Sequence, residues 1–125
     1  MIILSKDQIL LMHHALIERY GGIHGIRDEG LLSSALNAPF QSFNQPDLYP
    51  TIAEKAVRLG YGLTMNHPFH DGNKRIGALS MLTMLALNNI PLRTSSEELA
   101  AVFLRVASGE LANEGLLHWV LSHME

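Results

Sequence analysis

The run from Ile76 to Ile90 is the most apolar stretch of the chain. It is interrupted by Gly77, Ser80, Thr83, Asn88 and Asn89 and is shorter than the roughly 20 residues a membrane span needs. The reading that remains is a central helix buried by other helices, so the rest of the chain has to supply its cover. The 125 residues fit one domain, taken here as 1–125. A chain of this size buries somewhat under ~70 % of the surface its unfolded form exposes, enough for a core without staples. Cysteine is absent, which excludes disulfide scaffolds, thiolate zinc sites and cysteine nucleophiles. An apolar fraction of 47 % is too high for a disordered chain. Nine Lys plus Arg against twelve Asp plus Glu give −3, without the basic surface of a nucleic-acid binder. The start, Met1 to Asp7, lacks the basic residues and cleavage site of a secretory signal, so a soluble cytoplasmic protein with no membrane partner is expected.

The covering helices announce themselves by their ends. Ser5 and Gln8 have the spacing of a capping box, Ile9, Met12, Leu16 and Tyr20 follow helical spacing, and Gly21-Gly22 stops the helix. Asp28 can cap a second helix through Leu31, Leu32, Ala35 and Leu36, which must end before Pro39. Residues 39–50, rich in Gln, Ser, Asn and Pro with Phe40, Phe43 and Tyr49 among them, read as a mobile surface loop that can carry short extended pieces. Thr51 and Glu54 form a second capping box for a helix running to about Asn66. The apolar helix begins near Asn73 and ends at Asn88-Asn89-Ile90-Pro91. Ser95 or Ser96 caps a helix carrying Leu99, Val102, Phe103 and Val106, and Asn113 caps a last one with Leu116, Leu117, Val120 and Leu121. About six helices and almost no alternating strand pattern predict an all-α bundle.

The chemistry concentrates between two core helices, in His67-Pro68-Phe69-His70-Asp71-Gly72-Asn73-Lys74-Arg75. Gly72 lets the backbone turn and approach a ligand closely. The free amides of the next helix's first turn, at its positive dipole end, suit an anion. Lys74 and Arg75 are unfavourable there for an isolated helix and make sense if a phosphate sits against them. Asp71 is a hard oxygen ligand for Mg²⁺ held between protein and phosphates. An imidazole ordinarily titrates near ~6.5, so His67 can accept a hydroxyl proton at neutral pH. Together these features describe phosphoryl or nucleotidyl transfer.

The nonapeptide resembles the signature loop of the Fic/Doc (Fido) superfamily, and in particular its Doc branch, the death-on-curing toxins. The likeness extends to Arg19-Tyr20-Gly21-Gly22 and Asp28-x-Gly30, to the loop lengths and to the helix order. The resemblance implies a Fido fold with a flap over the active site, the flap falling at about residues 40–49. It implies His67 as general base on a target protein's hydroxyl, Phe69 as the anchor of the loop and Asp71 as the Mg²⁺ ligand. Gly72 and Asn73 would cradle the anion, with Lys74 and Arg75 on the phosphates of ATP or another nucleotide. Fic enzymes that transfer AMP have Gly where this chain has Lys74 and a second Arg where it has Ala78. The departure matches Doc toxins, which bind the nucleotide in the reversed sense and transfer the γ-phosphate, their target class being elongation factor Tu. Self-restrained Fic proteins carry Ser/Thr-x-x-x-Glu-Gly/Asn. Glu precedes Gly or Asn here only at Glu29-Gly30 and Glu114-Gly115, with Gly25 and Glu110 four residues earlier. Restraint would then come from another chain, a Phd-type antitoxin.

Other readings compete for the same residues. AMP transfer is the runner-up. An HD-type metal phosphohydrolase would use His70-Asp71 with His67 or His24 as further ligands, but it needs a downstream Asp and Asp71 is the last in the chain. A degenerate domain acting only as an antitoxin-bound partner would not need His67, Asp71, Asn73 and Arg75 intact. More plainly, Asp71 can be a helix N-cap, Lys74 and Arg75 a solvated face and His70 an exposed loop residue. His13, His14, His24, His118 and His123 are read as carrying no chemistry, and Met65, Met81 and Met84 as packing.

Overall fold

The computed structural model describes residues 1–42 and 47–125. Six α-helices follow one another, α1 (Lys6–Tyr20), α2 (Glu29–Asn37), α3 (Ile52–Asn66), α4 (Asn73–Leu87), α5 (Ser96–Ala107) and α6 (Asn113–Ser122), with a 3-10 turn at Ala38–Phe40. Among the described residues β pairing is confined to isolated bridges. No helix among them is long and apolar enough to cross a membrane.

The helix starts follow local chemistry. Both capping boxes form, Ser5 with Gln8 and Thr51 with Glu54, while Asp28 caps α2 and Ser95 caps α5. Each side-chain oxygen satisfies an amide that the helix itself leaves without an acceptor. The last helix departs from expectation. Its N-cap is Ala112, and Asn113 is its first helical residue, with Oδ1 buried and without a hydrogen-bond partner.

The most enclosed rod is α3 rather than the apolar run after it. Helix α3 packs on α2, α4, α5 and α6, and buries Ala53, Ala56, Val57, Leu59, Gly60, Gly62 and Leu63. Small residues on several faces let neighbours approach from every side, which a hydropathy scan under-reports. Helix α4 is buried on its α3 side through Ile76, Gly77, Ser80, Met81, Met84 and Leu85, while Ala86 and Leu87 at its end are exposed. Helix α1 buries Ile9, His13 and Ile17, with Met12 and Leu16 only partly covered.

The α3–α4 contact is the most extensive in the molecule. A Cβ on Gly60 would lie 2.9 Å from the Gly77 carbonyl oxygen, and one on Gly77 would lie 2.7 Å from that of Gly60 and collide with Thr64 Oγ1. The helices therefore touch backbone to backbone, as only glycine permits.

The loop between α2 and α3 is tied at its base. Ser42 bridges to Asp47, and the Leu48 amide donates to Gln41. Lys55, fully buried in α3, donates to the Pro39 carbonyl at 3.2 Å and reaches Asp47 at 3.3 Å. Of the flap expected at 40–49, residues 43–46 lie outside those described. A Gly77→Ala chain should lose about 1–3 kcal/mol or more of stability by overpacking, measured as a lower urea midpoint at unchanged m.

Candidate active site

Residues 67–72 join the end of α3 to the start of α4, and three sets of contacts fix their backbone. The first is internal. Asn73, buried at the head of α4, accepts the Phe69 amide on Oδ1 and donates from Nδ2 to the Phe69 carbonyl, both at 3.0 Å. The second comes from residues 23–28, which run alongside. The amides of Arg27 and Asp28 donate to the Pro68 carbonyl at 2.7 and 3.1 Å, the His70 amide donates to Gly25, and Ile26 bridges to Phe69. The Arg27 guanidinium donates to the carbonyls of His67 at 2.7 Å and Asn66 at 3.2 Å, closing the last turn of α3. The third comes from α1. His13 stacks on Phe69 with ring centroids 3.8 Å apart, and its Nε2–H donates to the Asp71 carbonyl at 2.8 Å.

Each residue singled out in the sequence now has a place. His67 caps α3 in the left-handed conformation (φ 48°, ψ 54°), which a non-glycine residue adopts only where its surroundings enforce it. The carbonyl bonds from Arg27 enforce it here, and the imidazole is exposed. Phe69 is buried as the plug between His13 and the core. Asp71 is half-buried and does not cap α4. Its Oδ2 accepts the Ile23 amide at 2.6 Å, leaving Oδ1 without a hydrogen-bond partner among the described residues. Gly72 is the N-cap of α4 at φ 79° and supplies no side-chain cap, so the amides of Asn73, Lys74 and Arg75 stay open. The side chain of Asn73 is committed to Phe69, and its open group is the main-chain amide.

Lys74 and Arg75 are exposed and ion-pair with no carboxylate among the described residues. Arg75 lies over the Tyr20 ring, 4.4 Å from its centroid, a cation–π contact that fixes the guanidinium without neutralising it. Gly72 to Arg75 form one end of an open cavity of about 700 Å³, walled by Leu16 and Tyr20 of α1, Ala78 and Leu79 of α4, and Leu99 and Phe103 of α5. His67 and Asp71 stand outside its lining. His70 is exposed, and Asp71 joins no group of three metal-ligating side chains among the described residues.

Sequence reasoning missed the structural parts played by Arg27 and by His13. For His13 a signal existed: it falls four residues after Ile9 and four before Ile17, on the buried stripe of α1. For Arg27 nothing local could show that its guanidinium crosses to a turn 40 residues away.

Residues 3–85 match the profile described as the Fic/DOC family, and the chain belongs to that family. Within it the chain falls with the Doc toxins. It is 37 % identical over 73 residues to "Toxin Doc" of Mycolicibacterium smegmatis, covering 58 % of this chain and 56 % of that toxin's length. It is 30 % identical over 112 residues to "Protein kinase doc" of Escherichia phage P1, covering 87 % of this chain and 85 % of that protein.

Burial holds the His13 imidazole below its ordinary range, partly opposed by the bond to the Asp71 carbonyl and the Asp71 charge, and reinforced by the nearby His24 and His14. The folded chain thus binds fewer protons at this group than the unfolded chain, so its contribution is complete above about pH 6.5 and is lost as pH falls below it. Urea titrations between pH 5 and 8 should show this acid-side loss, and His13→Gln, which keeps a donor for Asp71, should flatten it.

Proposed function

We propose that the chain is a Doc-like protein kinase that transfers the γ-phosphoryl group of ATP, with Mg²⁺, to a Ser or Thr hydroxyl of a protein target, and that elongation factor Tu is the target and arrested translation the result. The observation that carries the reading is the start of α4: a helix end without a side-chain cap, bearing Lys74 and Arg75 with no acidic partners among the described residues, beside a turn gripped from three sides. An isolated helix gains nothing from two cations there; a polyphosphate uses all of it. The kinase name of the phage P1 relative supports the same reading.

The residues fit the absent groups. The Asp71 Oδ1, without a hydrogen-bond partner among the described residues, suits a cation that takes most of its remaining ligands from phosphate and water, as Mg²⁺ does. Bound nucleotide with its Mg²⁺ would supply the electrophilic phosphorus and its leaving diphosphate. The open amides of α4, with Lys74 and Arg75, would neutralise charge on the phosphate oxygens. His67 would orient the target hydroxyl and take its proton as the oxygen bonds to the γ-phosphorus and the bond to the bridging oxygen breaks. Arg27, Asn73 and His13 are positioning residues, acting through the backbone that carries His67 and Asp71. The chain lacks the Ser/Thr-x-x-x-Glu-Gly/Asn restraint, so a separate Phd-like antitoxin is proposed as its partner.

Incubation with ATP, Mg²⁺ and elongation factor Tu should add the mass of one phosphate to the target. A gain of AMP instead would overturn the kinase reading in favour of adenylyl transfer. His67→Ala should slow the reaction by about 10²–10⁴-fold with an unchanged thermal midpoint, because the side chain is exposed and its backbone carries the packing.

A further inference from the structure

Away from the α4 terminus, a second group of side chains converges on one point. His14 and Glu18 sit one turn apart on the exposed face of α1, and His24 comes to them from the segment that grips the 67–72 turn. The Glu18 Oε1 atom lies 3.1 Å from His24 Nε2 and 3.6 Å from His14 Nε2, and the three ligand atoms are all within 4.8 Å of one another. The imidazoles face each other with centroids 4.5 Å apart. Both rings aim at the same oxygen, and if both were cationic they would repel at that distance. Ligands held at about 2.0–2.1 Å by a tetrahedral ion lie roughly 3.3 Å from one another, close to the two contacts seen here. All three side chains are exposed, so the small adjustment that remains is free. All three side chains face solvent, which supplies water as a fourth ligand; His14 and His24 also border a cavity of about 350 Å³ whose other walls include the apolar Leu10, Ile26 and Phe69.

We propose that His14, Glu18 and His24 form a binding site for a borderline divalent transition ion of the Zn²⁺ class, joining α1 to the 23–28 segment. Two imidazoles and one carboxylate suit such an ion and do not suit Mg²⁺, which demands oxygen ligands. The site is separate from Asp71 and independent of the kinase reading. Its place has a structural consequence. His24 lies between Ile23, whose amide holds Asp71, and Gly25, whose carbonyl holds the His70 amide. An ion there would tie down the strip of backbone on which the active turn rests and slow its local opening.

Calorimetric titration with Zn²⁺ in excess Mg²⁺ tests this without nucleotide or target. The unaltered chain should bind one Zn²⁺ with micromolar affinity, and Zn²⁺ should raise its thermal midpoint. His24→Ala and Glu18→Gln, both at exposed positions, should each weaken binding at least about tenfold, the loss that removing even an outer-shell partner of a metal site typically brings. They should also abolish the thermal shift. No saturable binding would overturn the proposal, and so would a loss smaller than tenfold in either variant, since Zn²⁺ would then be held elsewhere, for instance at His123 and Glu98.

Discussion

The backbone contact between α3 and α4 at Gly60 and Gly77 fixes everything downstream of it. Two helices that meet at side-chain distance can slide and rotate by a fraction of a turn while their side chains repack. Two that meet carbonyl against glycine cannot, because neither surface yields. Thr64 reinforces the contact: its hydroxyl bonds back to the Gly60 carbonyl at 2.8 Å, on the same patch that Gly77 approaches. The end of α3 and the beginning of α4 are therefore held at one separation, and the turn between them has one path to follow.

That path is then secured by bonds to backbone rather than to side chains. Pro68 receives two amides, Phe69 is paired on both its amide and its carbonyl by Asn73, and His70 and Asp71 are each held through the main chain. A turn gripped in this way leaves its outward side chains free. His67 and His70 are exposed, and Asp71 has one oxygen without a partner among the described residues. Chemistry needs groups that are both positioned and available, and fixing the backbone achieves both. The left-handed conformation of His67 is the local cost, of the order of 1 kcal/mol, and the two bonds from Arg27 offset it.

Much of the bundle was legible because helix ends are written in short-range chemistry. Ser5, Asp28, Thr51 and Ser95 each lie three residues from the amide they bond, so spacing alone reveals them. Asn113 shows the limit, since a capping residue type one position late leaves its oxygen buried without a partner. The turn at 67–72 was legible as a cluster of residue types, while the means of holding it was not. Arg27 reaches across 40 residues and His13 across 58, separations at which no local pattern exists. Nor did hydropathy distinguish α3 from α4 as the enclosed rod, because enclosure by glycine and alanine is a matter of close approach rather than apolar content.

Helix α1 serves both faces of this arrangement, and its sequence shows how. His13 points inward to Phe69 and the Asp71 carbonyl, where burial disfavours its charged form and its Nε2–H is already used. Its neighbour His14, about 100° further round the helix, points outward beside His24 and Glu18. The same residue type thus does different work in adjacent positions: one ring is a buried strut, the other an exposed side chain beside a carboxylate. Both bear on the active turn through different partners, His13 directly and His14 by way of the 23–28 segment. A shift of α1 reaches the turn through the buried His13, so the turn's geometry is coupled to the packing of α1 as well as to the α3–α4 contact.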